Sequence, residues 1–247
     1  MVPLTLFLKV HIRPSGIVAL RSLPQSKMRT ALRYVPPTTL IGAIAYPLFH
    51  VVGNRAETAY ERKTFRSKAE SIIELFEWVT VKTQGKPKLY GSLLKINTVY
   101  RGKAQSAVTS FPFAVLYGEG DYSMTAVYLI SEETLSKSTY NLRDVERAAW
   151  GMTRLGSRES VVSVEEVTSG KTKVRDANEA TTAYAFPFKG FDVSGRGTLQ
   201  SIVDWRSGIG DYSKAKRVVM FYPERTVTVR GELSVAEVNG EVIVLAP

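Results

Sequence analysis

Residues 34–48 read YVPPTTLIGAIAYPL, and this stretch sets where the first helix must begin. The pair Pro36-Pro37 excludes helix upstream and presets φ for a helix start, with Thr38 available as N-cap. Behind it Leu40, Ile41, Ile44 and Leu48 recur three and four apart, the apolar stripe of an amphipathic helix. Pro47 is expected to kink or end that helix. Gly42 is read as permitting close helix–sheet packing. Upstream, Leu4–Ile12 alternates bulky apolar residues as a strand does. Arg13–Val35 holds Pro14, Gly16 and Pro24, shows no stable period, and reads as a long basic loop.

Downstream, residues 57–77 are charged and helical in spacing, and Leu89–Tyr100 and Phe113–Tyr117 read as strands. Met124–Ile130 is a strand rich in aromatic and β-branched residues. Leu142–Met152 is an amphipathic helix with Leu142, Val145, Ala149 and Met152 on one face. A turn at 154–158 leads into the strand Val161–Val167. The tail carries strands at Val218–Tyr222 and Thr226–Val229, then Val235–Val238 and Val242–Leu245 around an Asn239-Gly240 type I′ turn. The order up to Val167 is strand, helix, strand, strand, helix, strand. That is the α+β, ferredoxin-like (RRM-like) βαββαβ pattern. It predicts a domain over 1–168 with an insertion around 54–123, followed by a C-terminal β-rich region over 169–247.

The charge is distributed unevenly. The chain of 247 residues carries 33 Lys+Arg against 23 Asp+Glu, a net +10. Residues 1–56 hold Lys9, Arg13, Arg21, Lys27, Arg29, Arg33 and Arg55 and not one carboxylate. Residues 78–118 form a second acid-free stretch with Lys82, Lys86, Lys88, Lys95, Arg101 and Lys103, whereas residues 124–247 are neutral. Two long acid-free stretches predict a one-signed surface suited to a polyanion, since ordinary surfaces intersperse the signs. A hydrophobic content of 44% excludes disorder. The absence of cysteine excludes disulfide scaffolds and thiolate metal sites, and two histidines, His11 and His50, cannot build a multi-histidine centre. No metal or cofactor is expected. Residues 34–54 lack formal charge over a length that could span a bilayer, but Pro36, Pro37, Thr38, Thr39, Pro47 and His50 interrupt them, so a buried helix is expected. Leu4–Leu8 is too short for a signal peptide, and a cytoplasmic protein with no membrane partner is expected. The absence of cysteine and nine Asn+Gln in all lean toward a thermophilic source.

Two segments resemble the signature of the Cas-five family of CRISPR-associated RAMP proteins. The first is Met28-Arg-Thr-Ala-Leu-Arg-Tyr34 with Val35-Pro-Pro-Thr-Thr-Leu-Ile-Gly-Ala-Ile44: a basic run, a proline pair, then a helix with a Leu-Ile-Gly core. The second, Thr153-Arg-Leu-Gly-Ser-Arg-Glu-Ser-Val-Val-Ser163, is similar to the family's glycine-containing loop between the second helix and fourth strand. Length and lack of cysteine look most like an archaeal type I-A version. The resemblance implies a non-catalytic subunit of the Cascade surveillance complex in antiviral defence. Such a subunit grips the 5′ handle of crRNA and caps the filament of Cas-seven family backbone subunits. It meets large and small subunits, and target DNA through the complex. An inserted hairpin, the thumb, would lie within 54–123.

The residues support RNA binding in their own right. Arg13, Arg21, Lys27, Arg29, Arg33, Arg101 and Lys103 can neutralise phosphates, and Tyr34 and Tyr100, each beside an arginine, can stack bases. In the loop after the second helix, Gly156 allows close backbone approach. There Ser157 and Ser160 offer hydroxyls, and Arg154 and Arg158 offer charge. Carboxylates are expected to be absent from the RNA-binding region, which disfavours two-metal nuclease chemistry. The alternative is a metal-independent endoribonuclease acting on CRISPR precursor RNA. It would use His50 as general acid/base with Tyr34 or Tyr46 and Lys27 or Lys63. The Lys-His dipeptide of the family's catalytic branch is absent. An RRM-like binder unrelated to CRISPR is a third reading, and neither Phe111–Phe113 nor Met124–Ile130 matches its aromatic octamer.

Overall fold

The computed structural model describes residues 4–22, 31–54, 56–61, 64–85, 87–116, 122–207, 209 and 215–245. Strand β1 (Leu4–Pro14) opens the chain, and α1 (Pro37–Val51) follows the basic loop. The helix begins on the proline pair, but Pro36 itself takes the N-cap position and no side chain caps it, so Thr38 is not a cap. Proline in the first turn costs little because its missing N–H would be unpaired there anyway. Pro47 neither ends the helix nor stays outside it, since α1 runs on to Val51. Leu40, Ile41, Ile44 and Leu48 are fully buried, and their packing holds the helix past the lost backbone bond.

The next segment departs from its helical spacing. Strands β2 (Thr58–Glu61) and β3 (Thr64–Ser67) pair in a short hairpin, and only Lys68–Leu75 winds, as a 3₁₀ helix begun by the Ser67 hydroxyl accepting from the Ala69 N–H. The Thr-, Tyr- and Phe-bearing stretch before Ser67 favours extended backbone over helix. Strand β4 (Phe76–Gln84) leads to a long hairpin of β5 (Pro87–Tyr100) and β6 (Lys103–Leu116), paired residue for residue from Pro87↔Leu116 to Tyr100↔Lys103. Its two-residue turn puts Arg101 and Gly102 at φ 50° and 74°, the geometry of a type I′ turn.

Strand β7 (Ser123–Ser131), a short α2 (Glu132–Lys137), α3 (Leu142–Trp150) and the 21-residue β8 (Val162–Thr182) follow. Then come β9 (Phe186–Pro187), β10 (Asp192–Ser194), β11 (Gly197–Val203), β12 (Arg217–Pro223), β13 (Val227–Val238) and β14 (Glu241–Leu245). The two short tail strands expected at 226–229 and 235–238 are one strand, β13, with a bulge between Arg230 and Leu233. The main sheet runs β10-β13-β8-β1-β7-β4, with β14 on β13, and its pairings are antiparallel. Strand β8 passes unbroken through residue 168, bonding β1 with its first part and β13 with its second.

The sheet curls over itself. Helices α1 and α3 cover one face, packing on Leu6, Leu8, Val10 and Ile12 of β1 and on Ala126, Tyr128 and Ile130 of β7. On the other face Phe7, Trp78, Val127 and Leu129 meet Ala236, Val238, Ile243 and Leu245 from the β13–β14 hairpin. Covered on both faces, β7 buries every residue from Met124 to Ile130, which is why its sequence is apolar without alternation. A cluster of polar groups lies under the hairpin, while the buried Trp78 indole N–H there has no hydrogen-bond partner. Glu241 at the start of β14 accepts from Lys9 Nζ at 2.6 Å, from Lys82 Nζ, and from the Tyr184 hydroxyl at 2.8 Å. Among the described residues no helix is long and apolar enough to cross a membrane.

Candidate nucleic-acid interface

The loop Gly151–Ser160 is shaped by its own backbone. Leu155 N–H donates to the Ser160 carbonyl at 2.9 Å and Val162 N–H to the Thr153 carbonyl at 2.9 Å, while Leu155 is fully buried as an anchor. Gly156 sits at φ 85°, and a Cβ there would lie 2.8 Å from Leu20 Cδ2. Glycine therefore lets the loop close against the segment after β1. The Ser160 hydroxyl, buried, accepts from the Ala19 N–H at 2.8 Å and lies 2.9 Å from the Ser157 hydroxyl. Ser160 thus latches two distant segments and is not the RNA donor expected.

That latch opens a cleft of about 740 Å³. Arg21 and Ser22 come from the segment after β1, Thr38, Thr39, Gly42 and Tyr46 from one face of α1, and Arg154, Gly156, Ser157 and Arg158 from the loop. Ser201 and Arg217 close it from β11 and β12, where the Arg217 guanidinium donates to the Ser201 carbonyl at 2.7 Å and the Ser201 hydroxyl at 3.0 Å. Gly42 faces this cleft, exposed, and a Cβ on it would meet nothing within 4 Å, so close helix–sheet packing is not its role. Two carboxylates stand among the four arginines, Glu57 and Glu159, which corrects the expectation of a region without acids. Hydrogen bonds from the Ser157 hydroxyl and its own backbone, with Arg21 and Arg158 nearby, hold the exposed Glu159 carboxyl below the usual range.

The expected RNA-facing residues are only partly brought together. Arg21, Arg154, Gly156, Ser157 and Arg158 share the cleft. Lys27 and Arg29 lie outside the described residues. Arg33 is exposed but is not part of the cleft wall, and its backbone N–H donates to Gln200 Oε1 at 2.9 Å. Tyr34 is 5% exposed and stacks on Tyr222 with centroids 4.8 Å apart and planes 9° apart, so it is a core residue and no base can reach its face. Arg13 is held by Glu165, Nε to Oε1 at 2.5 Å, and His11 reaches the same carboxylate at 3.4 Å. Arg101 and Lys103 are exposed at the turn of the β5–β6 hairpin beside Tyr100, apart from the cleft. At about 3.4 Å per residue the hairpin's 14-residue strands extend ~45 Å.

The expected one-signed surface is thus broken. Glu165 and Glu241, both from the neutral half of the chain, pair with Arg13, Lys9 and Lys82 of the acid-free stretches. Arg217 of the cleft also comes from that neutral half, at the end of a short basic run, Lys214-Ala215-Lys216-Arg217, that a tally over the whole half averages away. Tyr46 was legible only as a candidate acid or base. Its place in the cleft follows from the i+4 spacing of Thr38, Gly42 and Tyr46 on the face opposite the apolar stripe. His50 is exposed at the end of α1, with Nδ1 2.9 Å from the Tyr46 carbonyl.

No family model matches the chain. It is 24% identical over 256 aligned residues to the CRISPR-associated protein Cas5 3 of Saccharolobus solfataricus, an alignment covering 97% of this chain and 98% of the relative. The crystal structure of a CRISPR protein from Archaeoglobus fulgidus superposes with a TM-score of 0.61 at 17% identity, covering 97% of this chain and 98% of that one, and shares the fold. A chain of a CRISPR RNA-guided surveillance complex covers 93% of this chain at 15% identity with a TM-score of 0.42. The likeness read from the proline pair and the glycine loop therefore extends over almost the whole chain: this is a protein similar to the Cas5 family of CRISPR-associated proteins.

Proposed function

We propose that the chain is a non-catalytic, cytoplasmic subunit of a CRISPR effector complex that holds the 5′ handle of crRNA in the cleft between α1 and the Gly156 loop. The observation that carries this reading is the convergence of Arg21, Arg154 and Arg158, from two segments far apart in sequence, around a loop that glycine and Ser160 press against β1's exit. Three guanidiniums beside hydroxyl-bearing walls suit the phosphates and 2′-hydroxyls of a single strand. The order β8-β1-β7-β4 with α1 and α3 on one face supports a ferredoxin-like βαββαβ reading of that half. On this reading the β5–β6 hairpin is the thumb, and the chain caps a Cas-seven family filament, with large and small subunits and target DNA as further neighbours. The sheet face opposite the helices, where RRM domains stack bases, is packed under β13–β14 and is not the RNA surface here.

The test is a salt titration of handle-RNA affinity. Each phosphate contact to a single strand contributes about −0.7 to the slope of log K against log salt, so three arginines give ~−2. The Arg154→Ala/Arg158→Ala double variant should weaken binding and flatten the slope by about 1.4. Unchanged affinity and slope would refute the cleft as the RNA site.

A further inference from the structure

The aromatic side chains at the cleft mouth are not those expected from the sequence. Tyr46, half-buried, lines the cleft from α1, and one turn on the exposed imidazole of His50 sits against it, ring centroids 4.3 Å apart and planes tilted 48°. The Arg154 guanidinium stands over the same tyrosine ring at 5.9 Å. One hydrogen bond orients the imidazole. A carbonyl can only accept, so Nδ1 carries the proton given to the Tyr46 carbonyl at 2.9 Å. The backbone beneath is closely packed, because Pro47 is buried and a Cβ on Gly151 at the end of α3 would lie 2.8 Å from Pro47 Cβ.

Two planar rings and a planar cation, held in order at the edge of a basic cleft, are the elements that unstacked RNA bases pack on. We infer that Tyr46 and His50 form a base-stacking step at the cleft mouth, with Arg154 serving the phosphate of the stacked nucleotide. This rests on the cleft being the RNA site. It assigns His50 to a role set by its ring plane rather than its proton, in contrast to the general acid/base role of the endoribonuclease alternative.

The experiment is an abasic scan of handle RNA against the wild-type chain, Tyr46→Ala, His50→Ala and His50→Phe, with Arg154→Ala/Arg158→Ala alongside. Stacking on one aromatic is worth roughly five- to hundredfold in affinity. Wild type should lose that factor when the base at one or two positions is removed. Tyr46→Ala and His50→Ala should lose it on intact RNA and show no further loss at those positions, while His50→Phe stays within about twofold of wild type. Full affinity in Tyr46→Ala and His50→Ala, with binding lost only in the double arginine variant, would overturn the stacking step and leave the cleft reading standing. Full affinity in every variant would overturn both. Cleavage of repeat RNA by wild type that disappears in both His50→Ala and His50→Phe would overturn the stacking role in favour of catalysis.

Discussion

Replacing Glu241 by Gln isolates the ion cluster that closes the sheet. Desolvation alone would raise this carboxyl. The hydrogen bonds from Lys82, Lys9 and Tyr184 override it and hold the group at about 2, against 4.5 for a free side chain. A depression of that size corresponds to ~3 kcal/mol for a fully buried carboxylate. With its side chain 31% exposed, solvent screening brings this to ~1.5 kcal/mol. The folded-state value is lowered, so the stabilisation is fully present above pH ~4.5 and is lost as pH falls toward ~2. Urea unfolding at neutral pH should show Glu241→Gln ~1.5 kcal/mol less stable, or ~3–6 °C lower in Tm. The gap between variant and wild type should narrow progressively below pH ~4.5. RNA affinity should be unchanged, because Lys9 and Lys82 already face a carboxylate beneath β14. Equal stability at neutral pH, a gap that widens on acidification, or tighter RNA binding in the variant would each refute this account.

Two further substitutions separate site from scaffold. Gly156→Ala must adopt φ 85° and displace Leu20, costing ~1–2 kcal/mol in thermal unfolding. Because it pushes the arginine loop off its seat, handle-RNA affinity should fall with it, and a variant that binds normally would show that the loop position does not matter. Tyr34→Ala empties a stacked core position against Tyr222 and should cost ~3 kcal/mol or more in urea unfolding. Its salt slope for RNA should match wild type, and a flattened slope would return Tyr34 to the interface.

Elements whose signals are local were readable in the chain. The proline pair placed the start of α1, the period of Leu40, Ile41, Ile44 and Leu48 chose its buried face, and Asn239-Gly240, both at positive φ, turned β13 into β14. The 57–77 segment departs from its helical spacing because charged residues at that spacing say nothing of the extended preference of the residues before Ser67. Tyr34 lies in the core rather than at an interface, and an aromatic beside an arginine looks the same in sequence whether its ring meets a base or another ring. In the candidate site, Gly156 and its flanking arginines are legible from composition, whereas the Ser160 hydroxyl holds the Ala19 backbone, a contact between segments that no local pattern marks.

The amino-acid sequence by itself determined α1, α3, strands β1 and β7, the turn from β13 to β14, the acid-free stretches and the likeness carried by two short motifs, since propensity, turn chemistry and charge are properties of neighbours along the chain. Only the tertiary structure decided which cations remain available to a polyanion. Curling the sheet brings Glu241 onto Lys9 and Lys82, pairing along β1 brings Glu165 onto Arg13, and β12 delivers Arg217 to a cleft whose other arginines lie far from it in sequence. Coulombic pairing acts over a few ångströms of space and is indifferent to sequence separation, so a charge tally by segment cannot foresee it.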